Sequence, residues 1–280
     1  MRASVAMAAL VAGFAAPVNA QVPAASAFPA KPVRMLIPSP PGSSTDTLGR
    51  IVKEGLAVQW SQPIVVDNRG GASGRIAAAA VAQAAPDGYT LLFTSGGVLT
   101  AARPLFRDLP YDPIRDFAPI AMIAHVPGIL VAHPSFPARS VAELIKLAKA
   151  KPGSLTHGAS SVGSTSHLNM ELFKQMAGLD VVSVSYQGDA PAMVALLGGH
   201  VQFAFMHIIA SLPHIQAGRL RALAVATGER VPQLADLPTV VEAGLPGYET
   251  LLFYAMVGPA KMPAALVRQL NRRSIALRTS

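Results

Sequence analysis

The sequence predicts an α/β protein built as two lobes. Short apolar runs alternate with amphipathic or alanine-rich stretches along nearly the whole chain. That alternation is the pattern of parallel sheets covered by helices on both faces. It yields about ten strands, more than one open sheet comfortably holds, whereas two sheets of about five are of ordinary size. The chain is 51% hydrophobic and only 14% charged, which excludes intrinsic disorder.

The first element is an address. Arg2 precedes an apolar stretch from Val5 to Ala16, and Val18-Asn19-Ala20 puts small residues where a signal peptidase reads. Residues 1–20 are therefore expected to be a secretory signal peptide cleaved after Ala20. The apolar stretch falls short of the roughly 20 residues that span a bilayer.

Val33 to Pro38 reads as a buried strand, and Thr45 to Trp60 as a helix with Leu48, Ile51, Val52 and Leu56 on one face. Pro63 to Val66 is a strand. Gly74 to Ala85 is an alanine-rich helix ended by Pro86-Asp87-Gly88. Tyr89 to Thr94 is a strand, followed by a proline-rich connection from Pro104 to Pro119 whose Asp108, Asp112 and Asp116 read as turn formers. Ala118 to Ile123 and Gly128 to Ala132 are strands split by Val126-Pro127.

Ser140 and Glu143 form a capping box for a helix from Val141 to Lys151. Then follow strand Leu155 to Ala159, helix Ser166 to Met176, strand Val181 to Ser185, helix Ala190 to Leu197 and strand Val201 to Met206. Helix Leu212 to Ala217, strand Leu220 to Ala226, a helical turn from Pro238 to Ala243, strand Thr250 to Val257 and helix Pro263 to Arg273 complete the series.

The chemistry sits at four junctions that open helices: Pro41 to Asp46, Gly70 to Gly74, Ser160 to Ser166 and Tyr186 to Ala190. Each puts small, hydroxyl-rich residues where unpaired backbone N–H groups meet the positive end of a helix dipole. That combination suits a carboxylate or phosphate. The same residues are also what any helix start prefers. In open α/β sheets ligands bind at the carboxyl ends of strands, so two junctions in each half point to two lobes facing one cleft.

Other chemistries find no support. There is no cysteine, which excludes disulfides and thiolate sites. No nucleotide-binding glycine motif, Gly-x-Ser-x-Gly elbow or His-Glu-x-x-His is present. His200, His207 and His214 recur every seven residues across different elements, which favours capping or core roles over metal ligation. Ser164 and His167 sit three apart, but no acid is in place to orient them as a catalytic pair. The net charge of +8 on so few charges is no nucleic-acid-binding composition.

At the same junctions the chain resembles the Bug family, the periplasmic substrate-binding proteins of tripartite tricarboxylate transporters. The matching segments include Pro40-Pro41-Gly42 with Thr45-Asp46, Val66-Asp67-Asn68-Arg69 with Gly71 and Gly74, and Ala85-Pro86-Asp87-Gly88-Tyr89-Thr90-Leu91. Others are Gly163-Ser164-Thr165-Ser166-His167-Leu168, Leu196-Leu197-Gly198-Gly199, and Ala217-Gly218-Arg219-Leu220-Arg221-Ala222-Leu223-Ala224-Val225. The resemblance covers essentially the whole chain after residue 20.

It implies a two-lobed Venus-flytrap fold of the type II kind, hinged on two crossing strands, with 30–125 plus 225–280 as lobe one and 126–224 as lobe two. It implies a periplasmic, monomeric binding protein without catalysis or cofactor. Such a protein captures a small organic carboxylate (a di- or tricarboxylate, an aromatic acid or an amino acid) and passes it to membrane transporter subunits. The alternative is a ligand sensor for a two-component system.

By position, Gly42, Ser43, Ser44, Thr45 and Asp46, with Thr94 and Ser95, would form one wall of the cleft. Ser160, Gly163, Ser164, His167, Tyr186 and Gly188 would form the other. Asp46 would organise its loop instead of touching the anion. Three departures stand out: Ser43 replaces a usual glycine, Met206 replaces a usual aspartate, and the family continues past Ser280. The last departure implies that the C-terminal part of lobe one is incomplete.

Overall fold

The computed structural model describes residues 28–250 and 252–275. The expected signal peptide lies outside them. Ten strands form two five-stranded sheets.

The first sheet begins with β1 (Val33–Ile37), which feeds α1 (Ser44–Trp60). Helix α1 buries Val52, Leu56 and Trp60 at helical spacing. Gly49 lets it settle onto the sheet, because a Cβ there would stand 2.5 Å from the Ile37 side chain. Ile51, expected on the apolar face, is 62% exposed instead. β2 (Ile64–Asn68), α2 (Arg75–Ala82) and β3 (Thr90–Ser95) follow. Two short helices not expected from the sequence, α3 (Gly96–Thr100) and α4 (Ala102–Leu105), come next. Asp112 and Asp116 then act as turn formers, accepting backbone N–H bonds in the connection to β4 (Phe117–His125).

The chain crosses at Val126-Pro127 into β5 (Gly128–Ala132) and α5 (Val141–Ala150), whose Ser140 cap accepts the Glu143 N–H as expected. β6 (Thr156–Ala159), α6 (Thr165–Ala177), β7 (Val182–Ser185), α7 (Asp189–Leu197), β8 (Phe203–His207), α8 (Ile208–Gln216) and β9 (Arg221–Val225) build the second half. Pro238 to Ala243, expected as a helical turn, holds a lone bridge from Thr239 to Val225 and hydrogen-bonded turns. The chain returns as β10 (Phe253–Pro259) and α9 (Ala264–Ile275), which lies against β4.

The strand orders are β2-β1-β3-β10-β4 and β7-β6-β8-β5-β9. Four strands in each sheet point the same way, but β10 runs antiparallel to its neighbours β3 and β4, and β5 antiparallel to its neighbours β8 and β9. The sheets are therefore mixed, not parallel throughout as the alternation predicts. The reason is the crossover: the strand entering from the other half arrives in the opposite direction. The two crossing segments are tied together by Val126 N–H donating to the Leu252 carbonyl at 2.9 Å and Ala226 N–H to the Gly128 carbonyl at 2.8 Å.

Candidate functional site

Both sheets direct the carboxyl ends of their parallel strands toward the same space. There the chain encloses a cavity of about 320 Å³, lined from both halves. The size suits a small molecule.

The same backbone device opens a helix on each wall. On the first wall, Gly42 (φ 79°) turns the chain, and Ser43 caps α1 by accepting the Asp46 N–H at 3.2 Å. On the second, Gly163 (φ 77°) turns the chain, and Ser164 caps α6 by accepting the His167 N–H at 3.3 Å. In each case the side chain one turn in reaches back: Asp46 Oδ2 accepts the Gly42 N–H at 2.8 Å, and His167 Nδ1 accepts the Gly163 N–H at 3.4 Å. Only a glycine takes these positive φ values without strain. Ser43, at φ −71°, needs no glycine, so its departure from the family leaves the loop intact.

The caps leave the Ser44, Thr45, Thr165 and Ser166 N–H groups without a hydrogen-bond acceptor among the described residues. These are the first-turn donors that a helix cannot satisfy internally, and they sit at the positive ends of two dipoles. Gly188 before α7, Gly74 before α2 and His207 before α8 bring three more helix starts to the cavity wall. No lysine or arginine lines it. The donors it offers from the helix starts are backbone N–H groups and hydroxyls.

Of the thirteen residues expected in the cleft, eight line it: Ser43, Thr45, Ser95, Ser160, Gly163, Ser164, Tyr186 and Gly188. Gly42, Ser44, Asp46, Thr94 and His167 do not. Asp46 accepts bonds from Arg50, Asn68 and the Gly42 N–H, and so organises the loop as expected. Burial works to raise its carboxyl, but those donors outweigh burial and hold it below the usual range. Thr94 is fully buried in β3, Ser44 is buried, and the His167 ring turns toward Glu171, 3.9 Å away. Burial lowers the His167 pKa. The Ser164 hydroxyl donates to the Ser161 carbonyl at 2.7 Å, the bond of a turn and cap, not of a nucleophile on a base.

The sequence reading missed two titratable residues of the cavity. Asp189, the first residue of α7, receives a hydrogen bond from the Ser160 hydroxyl on Oδ1. His207, read as core or cap, is buried at the end of β8, and its Nδ1 lies 3.4 Å from Asp189 Oδ2. Across the cleft, the Tyr254 hydroxyl is 2.8 Å from the same Nδ1. Burial, then the Asp189 charge, push the Tyr254 pKa well above its ordinary value against a hydrogen bond from Thr45. Tyr254 therefore stays a hydroxyl. Met206, flagged as a departure, is buried beside Ile129 and does not reach the cavity. Among the described residues no cluster of His, Asp and Glu side chains could hold a metal ion. No helix among them is long and apolar enough to cross a membrane.

The lips of the cleft touch. The Gly97 Cα hydrogen faces the Gly163 carbonyl so closely that a Cβ would stand 2.9 Å from its oxygen, and Gly188 lies against the Pro40 ring. This is a closed arrangement of two lobes over a small cavity.

Solved structures share the arrangement. R. palustris Rpa4515, solved with adipate, is 40% identical with a TM-score of 0.86 over 89% of this chain and 83% of that one. MatC from Rhodopseudomonas palustris, solved with bound malate, is 32% identical with a TM-score of 0.85, covering 90% and 86%. In sequence, the chain is 37% identical to Protein BugT of Bordetella pertussis across 93% of this chain and 79% of that protein. The model of the tripartite tricarboxylate transporter family receptor, TctC, matches residues 48–278. A two-lobed closed cleft, the relatives and the family match agree, and the chain belongs to the TctC family of tripartite tricarboxylate transporter receptors.

Proposed function

We propose that this chain is an extracytoplasmic solute-binding protein that captures a small organic carboxylate between its lobes and delivers it to a tripartite tricarboxylate-type membrane transporter. The observation that carries the reading is the pair of uncommitted helix N-termini, α1 and α6, facing one enclosed cavity from opposite walls. The adipate and malate held by two solved relatives support the carboxylate class. Members of a receptor family bind and release; they do not turn their ligand over.

The ligand contacts proposed are the eight expected residues that line the cavity, with the first-turn N–H groups behind them. Asp46 and His167 shape the two loops from outside. The lobes proposed are 30–125 with 225–280, and 126–224; the sharing of strands β1 to β4 and β10 in one sheet, and β5 to β9 in the other, supports this division. Export through a signal peptide cut after Ala20 completes the reading. Closure over the ligand would present the surface that docks on the transporter.

A thermal melt of residues 21–280 with a panel of carboxylic acids and their amides tests it. A ligand at a hundred times its dissociation constant adds about 2.7 kcal/mol, a rise of roughly 5–10 °C for a protein of this size. A shift with an acid and not its amide is the expected result. A cooperative melt that no acid shifts would sink the reading.

A further inference from the structure

Asp189 is the one carboxylate on the cavity wall, and no lysine or arginine shares that wall. Its side chain is 14% exposed. The only donor to it among the described residues is the neutral Ser160 hydroxyl, on Oδ1. That hydroxyl in turn accepts from Ser166 Oγ at 3.1 Å. The second oxygen, Oδ2, faces His207 Nδ1 at 3.4 Å, but Nδ1 is already paired with the Tyr254 hydroxyl at 2.8 Å.

The cavity is thus polarised. Helix N-termini supply positive potential for one carboxylate, and Asp189, at the start of α7, supplies a negative charge that no lysine or arginine of the wall offsets. A dicarboxylate whose second charge fell near Asp189 would meet a like charge in a poorly solvated space, with no cation to offset it. An ammonium would complete the site by giving Oδ2 a charge-assisted donor.

We propose that Asp189 selects the ligand: the cavity takes a carboxylate that also bears an ammonium group, and it discriminates against dicarboxylates of the same length. The inference rests on the carboxylate-binding reading and names the class within it. Asp189 acts as a specificity-determining contact, while the helix N-termini hold the common carboxylate.

Isothermal titration with matched pairs tests this on the chain of residues 21–280. The pairs are succinate with 4-aminobutanoate, adipate with 6-aminohexanoate, and lactate with alanine. In whichever pair binds, the amine is expected to bind at least tenfold tighter. Asp189→Asn keeps an acceptor for Ser160 and removes the charge; it is expected to cut that preference at least tenfold, with the acid partner gaining. Asp189→Ser repeats the test with a smaller side chain. If the amine has no advantage in any pair that binds, or keeps its advantage in both variants, the assignment is overturned while the carboxylate reading stands. If none of these acids binds, both readings fall.

Discussion

The Tyr254 hydroxyl lies 2.8 Å from His207 Nδ1, joining a strand of the first sheet to the end of a strand of the second. Both residues are buried, so a polar atom stranded there is poorly solvated. Tyr254→Phe keeps the packing against Phe93 and deletes the link. The expected cost is about 1–3 kcal/mol, the penalty for stranding a buried partner. Urea unfolding of the variant checks it, and an unchanged midpoint would show that the link contributes nothing to stability.

Closure depends on the absence of a side chain at Gly97. Its φ is not in the left-handed region, so a larger residue is acceptable to the backbone, but its Cβ would press on the Gly163 carbonyl across the cleft. Gly97→Val is expected to prop the lobes apart. Ligand affinity should fall at least tenfold, while the melting temperature without ligand stays within a few degrees. Small-angle scattering should show the variant failing to contract when ligand is added.

Ser43 and Ser164 are equivalent caps on opposite walls, so their substitutions should cost alike. Replacing either by alanine is expected to lose about 1 kcal/mol of stability, and by glycine only a few tenths. Because both hydroxyls also line the cavity, the alanine variants should bind ligand more weakly by a hydrogen bond's worth, about 0.5–1.5 kcal/mol. Chemical denaturation paired with titration separates the two effects.

Acid should loosen the second half through His157. Burial, above all, lowers its pKa from 6.5 to about 4. The unfolded chain then binds a proton that the folded chain refuses, so stability falls as pH drops from about 6.5 toward 4 and levels off below. The slope attributable to this residue approaches about 1.4 kcal/mol per pH unit within that window. His157→Gln should flatten the profile there, measured as unfolding free energy against pH.

Asp46 acts on the first half at lower pH. Its carboxyl is held below the usual range in the folded state, so its contribution is full above the unfolded value and is lost as pH falls through the folded one. Wild type and Asp46→Asn should differ most above about pH 5, by roughly 1–3 kcal/mol, and converge in strong acid.

The two-sheet architecture was legible because apolar runs and turn residues mark where strands and helices begin. Gly128 to Ala132 and the Ser140 cap fall where the residues put them. Strand direction was not legible: nothing in Phe253–Pro259 distinguishes a strand that enters from the other half from one that follows a helix. Helices α3 and α4 were hidden by Gly96-Gly97 and Pro104, which locally read as loop. The cleft loops could be found because glycine before serine at a helix start has a recognisable purpose. The sides they present could not, so Gly42, Ser44, Thr94 and His167 were expected in a lining they do not join. Asp189 lies in the junction from Tyr186 to Ala190 with no signal of its own, and its significance appears only when folding brings Ser160 and His207 beside it.

Strand β10 occupies a slot between β3 and β4. The first sheet therefore has a gap until residues 253–259 arrive, after the whole second half has been made. The first half is not a continuous stretch of chain and cannot finish its sheet alone, whereas strands β5 to β9 of the second half follow one another without interruption. A nascent chain emerging in order, with β1 to β4 ready and β10 still to come, stays unfinished until late in synthesis. In the exported chain proposed above, that delay would keep the polypeptide in a threadable state for longer.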